Sequence, residues 1–550
     1  MKPRICFSLF FLCFLLYGST VFSQETKVST GEKIMIVAHP LAAKAGLAVF
    51  KKGGNVVDAA IATAYCLGVV EPHGSGIGGE GMMIIYRAKE KEYTIIDFKG
   101  ISPASASYEK MDFKNPSSWS RTVRGASIPG AVAGLELARE KFGRLGRTVL
   151  MQPAIDYAID GYEVDSTLSL NLEAHRKDLE RDEYSHALYF PNGVTVAAGA
   201  RIRNPDYGKS LKKIQAGGAE VFYKGEIADL IVHDAQKNGG LISKEDLRSY
   251  VPIIRRPLIG MYHGYEIITS PPPCGGMHLI EALNILKYFN LAECRMHEQY
   301  SLHLLSETFK CVFKDEATFN GDPEFNAISS DKIISESFAF NRFLAIEPSR
   351  AAHPSQILPG VVEEKNTTHL SVMDSEGNAV SLTITLSSLF GSTHTVEGAG
   401  FILNNEMQNF NSDERHPNGL KPHKRVVTSL VPTIIAKNGK PIYVLGTPGG
   451  DLIISTMTQV IVNLIDYAMA LNDAVVAPRI FSTFYQRDVE VENRFPESNL
   501  RLLESLGHDL QRQPAFKSYF GAVQAVMVDS ASRRLIGVSD PRRSGAAVGE

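Results

Sequence analysis

The sequence predicts a mixed α and β fold. Apolar stretches with helical periodicity recur along the chain, strand-like runs lie between them, and residues 367–387 carry a hairpin signal. In chain order, Ala38 to Lys52 reads as a helix stopped by Gly53-Gly54. Asp58 to Val70 reads as a second, apolar helix, and Met82–Tyr86 and Tyr93–Phe98 as strands. Ala131 to Phe142, Ala228 to Lys237 and Leu279 to Phe289 follow as helices. After Asn366 the pattern opens with strands and then gives a long apolar helix from Asp451 to about Met469. No linker, repeat or charge block divides residues 24–550, so the length fits about two to four domains or one large intertwined one.

Composition narrows the function classes. Lys plus Arg total 57 against 60 for Asp plus Glu, a formal net charge of −3. That balance argues against a nucleic-acid partner, which usually requires a basic excess. At 44% hydrophobic and 21% charged, the chain can bury a sizeable core. Its Gly and Pro are not periodic, which excludes collagen-like and low-complexity classes.

Residues 1–23 read as a secretory leader. Lys2 and Arg4 precede the apolar run Ile5 to Leu16, and Val21 and Ser23 supply a cleavage pattern before Gln24. The alternative is an uncleaved anchor, but Gly18, Ser19 and Thr20 dilute the end of the run. No later segment reads as a span, so the expected location is secreted or periplasmic. The mature cysteines would be Cys66, Cys274, Cys294 and Cys311. They are too few for a disulfide framework, although one bridge is compatible with export. None forms a C-x-x-C pair, so no metal is expected.

Some motifs fail on context. Gly76, Gly78 and Gly81 satisfy G-x-G-x-x-G, but a helix precedes them and a strand follows, the reverse of a dinucleotide loop. No P-loop or H-E-x-x-H occurs, and no cofactor is expected. His369 and His394 read as ordinary hydrogen-bonding histidines. Asn366-Thr367-Thr368 matches a glycosylation sequon, a pattern short enough to recur by chance.

The hairpin carries more information. Ser375-Glu376-Gly377 fits a three-residue loop with Gly at a left-handed position, which pairs Asp374 with Asn378. Leu370, Val372, Val380, Leu382 and Ile384 then share one face. Thr367, His369, Ser371, Ser381, Thr383 and Thr385 share the other, with Thr367 opposite Thr385. By itself a hydroxyl row is an ordinary polar sheet face, since Thr is common in strands. Downstream, the strand Pro441 to Gly446 runs into Thr447-Pro448-Gly449-Gly450 and then a helix. Backbone N–H groups at such a helix start favour negative charge and suit an oxyanion hole, although an ordinary tight turn has the same sequence.

Together these motifs resemble the γ-glutamyltransferase (glutathione hydrolase) family of N-terminal nucleophile hydrolases. The ordered matches run from His39-Pro40 and Gly53–Ala60 through Ile128-Pro129-Gly130, Asn238–Ile242 and Pro271-Pro272-Pro273. They continue through Thr367-Thr368-His369, Leu403–Met407, Thr447–Gly450 and Ser539-Asp540-Pro541-Arg542. The resemblance implies a four-layer αββα sandwich formed by two chains after self-cleavage between Asn366 and Thr367. Residues 24–366 would form the large subunit and 367–550 the small one. It implies Thr367 as nucleophile, Thr385 as the hydroxyl that positions it, and Gly449 and Gly450 as oxyanion-hole glycines. Thr428 and Ser429 would hold the substrate carboxylate, and Ser387 and Glu406 its α-amino end. The reaction implied is transfer of a γ-glutamyl group, from glutathione-like amides, to water or an amine acceptor.

Two positions depart from the family pattern. Lys99 stands where the family places an Arg that grips the α-carboxylate, and Lys lacks the planar bidentate fork. Asn409 stands where the family has an Asp for the α-ammonium, which removes a charge. Both bear on recognition of the amino-acid head and neither on the nucleophile. An amidohydrolase or acylase of the same fold acting on a different acyl group is therefore the alternative. The stretch from Asn409 to Lys424 is short beside family members that carry a lid there. An open site able to admit bulky substrates is the expectation.

Overall fold

The computed structural model describes residues 27–293, 299–352, 365–486 and 488–550. The leader at 1–23 and Cys294 lie outside the described residues, and the side chain of Asn366 is not described. Two seven-stranded antiparallel sheets form the centre. The first runs, edge to edge, through Ala546–Gly549, Ile34–Ala38, Lys365–Asp374, Ala379–Ser388, Glu80–Arg87, Glu92–Phe98 and Ile253–Arg255. The second runs through Lys27–Gly31, Leu535–Ser539, Gln524–Val528, Lys440–Gly446, Thr433–Lys437, Tyr265–Thr269 and Leu258–Tyr262. In both sheets, strands from before and after residue 366 interleave.

The hairpin forms in the expected register. Thr367 pairs with Thr385, Leu370 with Leu382 and Val372 with Val380. Gly377 takes φ +90°, the left-handed value that the loop requires. Leu370, Val372, Val380, Leu382 and Ile384 pack against helices Pro40–Lys51, Val56–Val70, Ala131–Phe142 and Arg147–Asp160 in one core. A second core joins the other side of the first sheet, through Met35, Val37, Met82 and Ile84, to the second sheet and to helices Gly276–Leu286 and Leu452–Ile465. These are the four αββα layers. A small third cluster, with Trp119, Met407, Phe410, Leu420 and Val426, lies under the loops beside the site.

The hydroxyl face of the hairpin does not meet solvent. It faces the second sheet and bonds across the gap: Ser371 Oγ donates to the Gln524 carbonyl at 3.0 Å and Ser381 Oγ to the Leu445 carbonyl at 3.2 Å. His369 lies between Thr383 Oγ1 at 2.9 Å and Ser371 Oγ at 3.1 Å. Burial lowers its pKa to about 3, so it is a neutral hydrogen-bonding residue. A Cβ on Gly446 would lie 2.2 Å from His369 Cε1, so the glycine sets how closely the sheets approach beside the Thr447–Gly450 turn.

The expected helices form within about three residues of their bounds, apart from the last; Ala131–Phe142 matches at both ends. The helix expected to reach Met469 is shorter, Leu452–Ile465. Past Ile465 the chain turns through Ala468 at φ +49°, and the Asp466 carboxylate accepts a bond from Tyr262 Oη at 2.7 Å. Apolar periodicity continues beyond the turn because these residues still face the core. The Gly76–Gly81 segment joins a helix to a strand, as its context required. Cys66, Cys274 and Cys311 are free thiols, and no described helix is long and apolar enough to cross a membrane.

Gly446→Ala should therefore destabilise the fold by about 1–3 kcal/mol through overpacking. Most of that cost should vanish in a His369→Ala background, where the clash has no partner. Denaturant titration of the four proteins of this cycle reads the coupling, and an undiminished penalty in the double mutant would place the glycine's role elsewhere.

Candidate active site

Thr367 and Thr385 lie on neighbouring strands of the hairpin, both buried, and Thr367 Oγ1 donates to Thr385 Oγ1 at 3.3 Å. The strand register shifts between Asn366 and Thr367, so the ladder is irregular at the residue before the hydroxyl. Thr385 Oγ1 also accepts from the Ser387 N–H at 2.8 Å. Ser387 has φ +81°, a left-handed conformation costly for a residue with a Cβ. This bond anchors it, and strain of this kind often marks functional positions.

A pocket opens beside Thr367 and Thr385. Ser387, Glu406 and Asn409 line one side, and Thr428, Ser429 and Leu430 another. Gly450, Asp451 and Ile453 close it at the start of helix Leu452–Ile465. Gly450 has φ +56° and Gly449 φ +140°, so both occupy backbone conformations suited to glycine. Their carbonyls accept from Leu452 and Ile453, and among the described residues their own N–H groups have no recorded acceptor. Two donors at a helix start beside a hydroxyl suit a developing oxyanion. Gly450 lines the pocket wall and Gly449 stands one residue behind it, with its Cα side toward Gly521.

The Glu406–Asn409 turn has a defined support. Asn404 Oδ1 accepts from the Glu406 N–H at 3.1 Å and from Ser127, while Met407 and Phe410 anchor in the third cluster. Asn409 Nδ2 donates to both Ser387 Oγ at 3.0 Å and Glu406 Oε2 at 2.8 Å. Among the described residues, Glu406 Oε1 and Asn409 Oδ1 are buried without a protein donor. Two such acceptors at one end of a pocket suit a ligand's ammonium group.

Lys99 differs from the expectation. It is fully buried and does not line the pocket; its Nζ bonds to Glu80 and donates to Thr428 Oγ1 at 2.9 Å. Burial works against its charge, but the Glu80 and Glu406 carboxylates outweigh it and hold the ammonium above its ordinary pKa. Glu80 draws the side chain inward, so Lys99 acts on the pocket through the Thr428 hydroxyl rather than by direct contact. Beside Thr428 on the same wall, Ser429 Oγ donates to Glu316 Oε1 at 3.2 Å.

Of the residues singled out in the sequence, Thr367, Thr385, Ser387, Glu406, Asn409, Thr428, Ser429 and Gly450 come together. Sequence reasoning missed Glu80, Glu316, Asp451 and Arg543, whose Nη1 donates to the Thr367 carbonyl at 3.0 Å. Asp451 directly follows the glycine turn and was within reach of the motif. The others come from distant segments and carry no local signal. The short 410–424 segment is pinned sideways: Asn326 Nδ2 donates to the Pro417 carbonyl at 2.7 Å and Lys424 Nζ to the Gly419 carbonyl at 2.8 Å. With Asn411, His416 and Asn418 it forms a wall of an outer cavity. That cavity shares Asn409, Thr428, Ser429 and Asp451 with the inner pocket.

The model of the family described as Gamma-glutamyltranspeptidase matches residues 42–550. The chain is 36% identical to a glutathione hydrolase proenzyme of Escherichia coli, over 92% of each chain. It is 34% identical to one of Bacillus subtilis, over 99% of this chain and 98% of the relative. Among solved structures it resembles a cephalosporin acylase from Bacillus halodurans, with a TM-score of 0.88 and 29% identity over 98% of this chain and 99% of that one.

Thr385→Val keeps the volume but removes the acceptor for Thr367 Oγ1 and for the Ser387 N–H. An unpaired buried N–H costs about 1–3 kcal/mol, so thermal unfolding should move down accordingly. Any reaction of the Thr367 hydroxyl should slow by about 10-fold or more, because its orientation is lost. Wild-type rates in this variant would remove Thr385 from the site.

Proposed function

The chain belongs to the gamma-glutamyltranspeptidase family, and we propose from that premise that it is a self-processing γ-glutamyl acyltransferase and hydrolase. The observation that carries the reading is the buried Thr367–Thr385 hydroxyl pair, opening on the same pocket as Gly450. In the precursor, Thr367 Oγ attacks the Asn366 carbonyl carbon and the C–N bond breaks. The hydroxyl proton passes to the departing nitrogen and an ester forms. Water hydrolyses that ester, leaving a carboxylate on Asn366 and a free α-amine on Thr367. Residues 24–366 and 367–550 are then two subunits of one folded unit.

Thr Oγ is a weak nucleophile without a base. The new α-amine, with an ordinary pKa of about 7.7–8.0, takes the Oγ proton near neutrality. The oxygen attacks the substrate amide carbon while the N–H groups of Gly450 and Gly449 receive the oxyanion. The proton then goes to the leaving amine, and an acyl-enzyme remains for water or an amine acceptor to attack. Glu406 Oε1 and Asn409 Oδ1 would receive the α-ammonium of a γ-glutamyl group, and the hydroxyls of Thr428 and Ser429 its carboxylate. Glutathione-like amides are the substrate class. Export through the 1–23 leader is part of the same reading.

A second reading is favoured by Lys99, which turns to Glu80 instead of facing the pocket, and by the uncharged Asn409. An acyl group that makes less use of a bidentate carboxylate grip would suit this pocket, and the cephalosporin acylase likeness points the same way. Relative turnover of γ-glutamyl and glutaryl anilides decides between the two: faster release from the glutaryl anilide, which keeps the carboxylate and lacks only the α-amine, establishes the acylase reading.

Purified wild type should show two bands on a denaturing gel, the smaller beginning at Thr367. Thr367→Ala should remain one full-length chain with no turnover. Two fragments from that variant would refute Thr367 as the cleaving residue. Glu406→Gln should lower kcat/KM for a γ-glutamyl anilide by about 10–100-fold, the value of one charge-assisted bond, and leave the glutaryl anilide unchanged. Equal losses on both substrates would mean that Glu406 does not read the ammonium group.

A further inference from the structure

We propose that Arg543 is a positioning residue for the nucleophile, holding Thr367 by its main-chain carbonyl during self-cleavage and turnover. The inference rests on the reading of Thr367 as the nucleophile. Arg543 Nη1 donates to the Thr367 carbonyl oxygen at 3.0 Å, and the residue is half-buried. Its backbone is fixed on both sides. Preceding it, Arg542 is fully buried and bonds Glu492 at 2.7 and 2.9 Å, Asp540 at 3.0 Å and the Ala477 carbonyl at 2.9 Å. Following it, the Ser544 hydroxyl meets Thr167 Oγ1 at 2.8 Å. Arg543 is thus delivered to the nucleophile from a rigid segment.

The next residue is held from the opposite side. Thr368 Oγ1 donates to the buried carboxyl of Glu71 at 3.2 Å, and a Cβ on Gly74 would lie 2.4 Å from that hydroxyl. The two successive residues are therefore clamped, one through its carbonyl and one through its side chain. This matters most after cleavage. Thr367 is then a chain end, chain ends fray unless tied down, and the adjoining ladder is already irregular at Asn366. A charged donor on its carbonyl replaces the restraint that the peptide bond supplied. Arg543 does not line the pocket, so its loss should act on the reacting hydroxyl and not on substrate binding.

The test compares wild type, Arg543→Gln and Arg543→Lys by the rate at which the full-length band converts to two fragments. It also measures kcat, KM and melting temperature of the processed proteins on a γ-glutamyl anilide. Arg543→Gln should slow conversion and lower kcat by about 10–100-fold, with KM within about 3-fold. Arg543→Lys, which keeps a charged donor without the planar fork, should fall between the two at an unchanged melting temperature. Should the Gln variant fail to fold, the Lys variant carries the comparison, and wild-type conversion and kcat in it overturn the proposal. A raised KM at unchanged kcat in Arg543→Gln also overturns it. A wild type that neither splits nor turns over substrate defeats the nucleophile reading and this inference with it, whereas normal wild-type splitting beside an unaffected Gln variant defeats the role of Arg543 alone.

Discussion

The pairing register of the hairpin Lys365–Asp374 with Ala379–Ser388 is the constraint on which the rest of the site depends. With a side-chain period of two, a slip of one residue would turn one strand over, moving either Thr367 or Thr385 into the helix-packed core and either Leu370 or Leu382 into the gap between the sheets. Burial of the apolar face against the helices fixes the register from one side. The bonds from Ser371 and Ser381 to carbonyls of the second sheet fix it from the other. The hydroxyl row thus serves two ends at once: it joins the sheets, and at its last pair it opens on the pocket.

The glycine turn depends on that same join. Gly446 lets the second sheet approach His369 closely, and the next residues form the Gly449–Gly450 turn that starts the helix beside the pocket. Behind the pocket, charge is used sparingly. Lys99 and Glu80 are spent on each other and on orienting Thr428, while Glu406 keeps one oxygen for a ligand. The polar wall of the pocket is consequently built from one carboxylate, Glu406, one amide, Asn409, and the three hydroxyls of Ser387, Thr428 and Ser429.

Much of this was legible in the sequence because it is local. The hairpin loop, its facing residues and the Thr367–Thr385 pair follow from spacing alone, and the Thr447–Gly450 turn from its composition. What was not legible arises from long-range contact. Nothing near Lys99 shows that Glu80 will draw it inward, and nothing near Arg543 shows that it ends on a carbonyl 176 positions away. The helix from Leu452 was read too long because core burial continues past the point where the backbone turns at Ala468. Apolar periodicity reports what a segment packs against, and it does not report where its hydrogen-bond ladder stops.

The interleaving of the two sheets has a consequence for the protein's life after processing. Ile34–Ala38 lies between Ala546–Gly549 and Lys365–Asp374, and Lys27–Gly31 borders Leu535–Ser539, so neither half of the chain owns a complete sheet. A nick after Asn366 would release nothing, yet it would turn recovery from denaturation into a bimolecular encounter of two halves that each expose unpaired edges. The uncut polypeptide has one attempt at folding as a single chain, and the persistence of a cut particle would then depend on how slowly it unfolds, with no easy way back.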